Sequence, residues 1–95
     1  MAETFTAQMS ATRAGVWRVY VVLYGVPEWP EYSWARTAPV VPTPPERALA
    51  LESLGFEVLP DAEWEWIEYS KVPDDPSSRV CLLAAVSVRR MEVAL

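Results

Sequence analysis

Residues 4–10 alternate, with Phe5, Ala7 and Met9 on one side and Thr4, Thr6, Gln8 and Ser10 on the other. That period of two predicts a strand with one buried face. Residues 11–15 are small and polar and end on Gly15, which predicts a hairpin loop. The next strand, 16–24, sets Trp17, Val19, Val21 and Leu23 on one face and Val16, Arg18, Tyr20, Val22 and Tyr24 on the other. The second face is too apolar for one turned to water. It needs a cover.

The stretch 25–42 carries Pro27, Pro30, Pro39 and Pro42. Proline removes a ladder donor and restricts the residue before it, so irregular structure is expected. Trp29, Tyr32 and Trp34 argue against disorder, so the proline-rich segment 26–42 is expected to pack on or beside the sheet. A helix is predicted over 44–54. Thr43 and Glu46 have the capping-box spacing, Pro44 suits the first turn, and Ala48, Leu51 and Leu54 share a face. Gly55 fits the left-handed position that ends it, with Phe56 turned back toward Leu51.

Short strands follow at 56–59 and 63–70, separated by the Pro60-Asp61 turn. In the second, Trp64, Trp66 and Glu68 share one face and Glu63, Glu65, Ile67 and Tyr69 the other. A turn-rich loop at 71–78 leads to the last strand, 79–88, which is read as running on toward Val93. Its expected core face is Val80, Leu82, Ala84, Val86 and Val88. The order β-β-α-β-β-β predicts an α+β fold: a mainly antiparallel sheet of four to five strands with one helix packed on a face. At 95 residues the chain, 1–95, is read as a single domain.

Composition narrows the chemistry. The net charge of −5 opposes direct binding to nucleic acid and docking on anionic lipid, and favours basic partners. Absence of histidine removes the usual general base and a common zinc ligand. Scattered single glycines exclude a phosphate loop. The lone Cys81 excludes an internal disulfide and is expected to be a buried, inert thiol. No cofactor, metal or catalytic residue is assigned, and the reading leans away from an enzyme. No basic residue precedes an apolar stretch at the start, and no run reaches the roughly 18 residues that span a bilayer; a cytoplasmic location is expected.

Two features remain as candidate chemistry. Glu63 and Glu65 would lie roughly 6–7 Å apart on one strand face, a separation that also suits acid–base work. Without an orienting partner, an exposed charged edge that discourages mispairing is the simpler account. Asp74 and Asp75, flanked by Pro73 and Pro76, read as turn residues before they read as cation ligands. The candidate partner-binding residues are Trp29, Tyr32, Trp34, Glu63, Trp64, Glu65, Trp66 and Glu68, because aromatic rings beside charge anchor protein interfaces. Trp64 and Trp66 are core instead if their face packs under the helix. Acids also outnumber bases eight to one between Glu52 and Asp75.

The runs Pro42-Thr43-Pro44-Pro45-Glu46-Arg47-Ala48, Leu54-Gly55-Phe56 and Ala62-Glu63-Trp64-Glu65-Trp66, with Glu28-Trp29-Pro30 and the closing strand 79–90, resemble a family of small actinobacterial proteins found in Streptomyces. The chain's sparing use of Asn, Lys and Ile fits a GC-rich source. The resemblance covers nearly the whole chain and implies a compact domain of unknown function with no assigned catalytic residues. The expected role is a non-catalytic interaction module that binds a protein partner, or a second copy as a homodimer. Alternatives are an acidic inhibitor or nucleic-acid mimic of phage or mobile-element type, and a small-ligand binder.

Overall fold

A computed structural model describes residues 3–12, 15–37, 41–70, 72, 74–78 and 80–91. The elements are β1 (Thr4–Ala11), β2 (Val16–Val22), β3 (Glu31–Thr37), α1 (Pro44–Ser53), β4 (Phe56–Val58), β5 (Glu65–Ser70) and β6 (Val80–Arg90). They form one antiparallel sheet in the order β3-β2-β1-β6. The far edge of β6 is shared: β4 pairs with its end, Phe56 opposite Arg90, and β5 with its beginning, Glu65 opposite Ala85.

The α+β reading with one helix holds, and the sheet gains a strand. Irregular structure was expected across 25–42, yet β3 lies inside it and pairs with β2 through Arg18 and Ser33. The reason lies in where the prolines fall. Residues 31–37 contain none, and Pro30 stands just before them, its carbonyl accepting from the Val21 N–H at 3.1 Å. Proline here delimits a strand without interrupting one. The expected Pro39 lies outside the described residues.

The helix starts as its sequence dictates. The Glu46 N–H donates to Thr43 Oγ1 at 3.3 Å and the Thr43 N–H donates to Glu46 Oε1 at 2.9 Å, which closes the capping box. It stops at Gly55, whose φ of +88° an L side chain tolerates poorly. The Gly55 N–H returns to the Glu52 carbonyl at 2.9 Å.

One face of the sheet is the core. Ala7 and Met9 of β1, Trp17, Val19 and Val21 of β2, Trp34 of β3 and Ala84, Val86 and Val88 of β6 meet Ala50 and Leu51 of α1, with Phe56 closing the end. Each large aliphatic residue buried this way contributes about 1.5–3 kcal/mol. The core stops short of the start of β6. Val80 and Leu82, expected on the core face, are 61% and 47% exposed. Their side of the strand is right, but α1 is only ten residues long and makes its main contacts with β4 and β2, so this end is left open among the described residues.

Candidate functional site

β5 is the anomaly of the fold. All six of its residues are exposed, although strands normally bury at least one face. Glu65, Ile67 and Tyr69 point one way, Trp66 and Glu68 the other, because side chains alternate along a strand. Among the described residues β5 pairs with β6 alone. Among the described residues nothing hydrogen-bonds to its outer edge, which leaves backbone donors and acceptors facing out. Ile67 and Tyr69 share their face with Leu83 and Cys81 across the ladder.

Among the described residues the charges beside β5 are unmatched. The side chains of Asp61, Glu63, Glu65 and Glu68 have no ion pair or hydrogen bond among the described residues. Each arginine whose side chain is described is already engaged. Arg89 Nε donates to Glu57 Oε1 at 2.8 Å, and Arg18 lies 3.7 Å from Glu31. The Arg90 guanidinium rests 5.2 Å from the Phe5 and Phe56 rings. Arg47 is buried, its Nε donating to the Pro42 carbonyl at 2.8 Å, with the Trp64 and Trp66 rings at 5.3 and 5.7 Å. Asp61, Glu63 and Glu65 line a cavity of about 380 Å³ together with Thr6 and Ser87, where their negative charge is unanswered among the described residues.

The predicted residues split into three groups. Glu63, Trp64, Glu65, Trp66 and Glu68 gather on β5 and its lead-in. Trp64 is half-buried against the core, while Trp66 meets Trp17 edge to face at 6.2 Å and keeps 44% of its surface exposed. Trp29 lies elsewhere. It stacks on Tyr20 at 6.0 Å and donates its Nε1–H to the Leu23 carbonyl at 2.6 Å, partly covering the second face of β2. Tyr32 and Trp34 sit at the opposite edge of the sheet. Trp34 is buried in the core, and Tyr32 stands against it at 5.2 Å beside Leu49 of α1.

Arg47 escaped the sequence reading. Its signal was present: it shares the helix face of Leu51 and Leu54, one and two turns on. Desolvation by burial holds its pKa below the ordinary guanidinium value. The Tyr69 phenol is raised, first by loss of solvent and then by the neighbouring Cys81 thiol, which is half-buried and free. Asp75 is lowered because the Ser77 hydroxyl and N–H both donate to it, at 2.7 and 2.9 Å. That is turn chemistry, as its spacing suggested.

These placements predict the response of the indoles to a neutral quencher. Trp29 and Trp66 are expected to be quenched readily, and Trp17 and Trp34 hardly at all. Trp66→Phe should remove a large part of the quenchable signal. If that variant leaves quenching unchanged, Trp66 is not at the surface.

Among the described residues no helix is long and apolar enough to cross a membrane. A family model described as "Family of unknown function (DUF6303)" matches residues 3–94. No curated protein and no solved structure matches the chain.

Proposed function

We propose that this chain, which belongs to the family of unknown function DUF6303, is a non-catalytic protein-interaction module whose working surface is β5 and its flanks. The observation that carries the reading is a strand exposed on both faces and along one edge. An uncovered edge strand is a hazard unless a partner uses it or charge guards it. Here aromatic and aliphatic side chains share it with carboxylates that are unmatched among the described residues, the mixture from which interface anchors and rims are built. Membership of the family adds no activity.

The test compares two baits, the wild-type chain and a Trp66→Ala/Ile67→Ala/Tyr69→Ala variant checked for native circular dichroism. A protein captured from an extract of the source cells by the wild type is then purified and titrated against both. The variant is expected to bind about 100-fold more weakly, as loss of a central hot spot does. Equal affinity for both baits removes β5 as the working surface.

A further inference from the structure

Resting on that reading, we propose that the partner docks as an extended, basic and alternately apolar segment of another protein, added as a further strand along the outer edge of β5. Three observations select this occupant. The first is geometric. Among the described residues the edge offers a row of unpaired backbone groups, and β5 is exposed on both faces, Trp66 keeping 44% of its surface open beside Trp17 and Arg47. Only a chain in strand conformation satisfies the edge while sending alternate side chains to both faces. A docked helix would cover one face and leave the backbone row unmade.

The second is charge. Each face of β5 carries an acid beside an aromatic or aliphatic residue: Glu65 with Ile67 and Tyr69 on one, Glu68 with Trp66 on the other. Asp61 and Glu63 continue the acidic line before the strand. None of the four is matched among the described residues, and each arginine with a described side chain is spent on Glu31, Glu57 or an aromatic ring. Complementary strand pairing thus calls for Lys or Arg on each face of the incoming segment, with a β-branched or aromatic neighbour two residues away.

The third concerns the rival occupants. A second copy pairing edge to edge would bring two sets of these acids into one interface with no base on β5 itself, and like charges in such proximity oppose pairing. Nucleic acid brings phosphates to the same charge. A basic polypeptide strand meets both requirements, of geometry and of charge.

The experiment displays a random library of dodecapeptides against the purified full chain and maps the enriched peptides by amide chemical shifts. Enriched sequences are expected to alternate Lys or Arg with apolar residues, and the largest shifts to fall on 63–70 and 80–85. Glu65→Lys/Glu68→Lys, at positions where nothing is buried, should weaken the best peptide about tenfold and flatten its salt dependence. Alternate N-methylation of that peptide, set in either of its two registers, should abolish binding in one register only, because one edge of the peptide makes the ladder. Enrichment of acidic or uncharged sequences, shifts centred on Tyr20 and Trp29, indifference to N-methylation, or no enrichment at all overturns strand addition. The two-bait comparison keeps the failures apart. A partner lost on the triple variant but not mimicked by any basic strand leaves the interaction surface standing and removes only this docking mode.

Discussion

Phe56→Ala is expected to cost about 4 kcal/mol, within the range for removing a buried phenylalanine from a close-packed core. Phe56 is only 1% exposed. It meets Phe5 edge to face at 5.6 Å, and the Arg90 guanidinium lies 5.2 Å from its ring. It also follows the Gly55 turn directly, so it joins the end of α1 to the first residue of β4. Removing the ring leaves a void at the junction of helix, β1 and β6, where backbone pairing on both sides resists collapse. Small domains have about 5–15 kcal/mol in all, so the variant should sit near its unfolding midpoint in mild urea. Urea titration followed by far-ultraviolet circular dichroism measures the loss. A loss under 2 kcal/mol would mean that Phe56 is not a keystone of this core. A double-mutant cycle with Phe5→Leu should return a coupling of about 1 kcal/mol for the ring pair.

Arg47 gives the second large effect, and its two variants should differ. Arg47→Ala is expected to lose about 2–3 kcal/mol. It removes a charge-assisted hydrogen bond to the Pro42 carbonyl, the cation's attraction to two indole faces, and the methylene stem that fills the space between them. Arg47→Met keeps most of the stem and should lose about 1 kcal/mol. The retained stem makes the difference, because both variants lose the guanidinium. Arg47 is a base whose folded-state pKa is depressed by burial. Holding its charge therefore opposes folding at every pH below its titration, and that cost vanishes in both variants, which keeps both losses modest. Equal losses for Ala and Met would show that the stem contributes nothing. Tryptophan emission gives a second readout, because Arg47→Ala should let water reach Trp64 and shift its spectrum to the red.

Much of the fold could be read locally. The capping box at Thr43 and Glu46, the Gly55 stop and the strict alternation of Phe5, Ala7 and Met9 are short-range instructions, each with one low-energy outcome. The same holds for the Asp75 turn. Less local features were misjudged or missed. Proline density hid β3, because a count over 25–42 does not show that 31–37 is free of proline. Arg47 was passed over because an arginine at helical spacing reads as surface until the rings that receive it are known.

The candidate site was legible as a list of residues and illegible as a surface. Glu63, Trp64, Glu65, Trp66 and Glu68 were found as neighbours and remain so. Trp29, Tyr32 and Trp34 had been grouped with them by chemistry alone. The sheet order carries Tyr32 and Trp34 to the edge opposite β5, with Trp34 inside the core and Trp29 laid on Tyr20.

The sequence by itself determined the helix and its ends, the strand periodicities, the absence of histidine chemistry and the local concentration of acid around β5, since each depends on residues within a few positions of one another. Only the tertiary structure decided that β6 would carry β4 and β5 on one edge, that β5 would stay exposed on both faces, and that the described arginines would be engaged by Glu31, Glu57 or aromatic rings and leave the acids around β5 unmatched among the described residues. Those outcomes turn on pairings between residues far apart in the chain, whose energies depend on which faces and charges remain unmatched once every other element is in place.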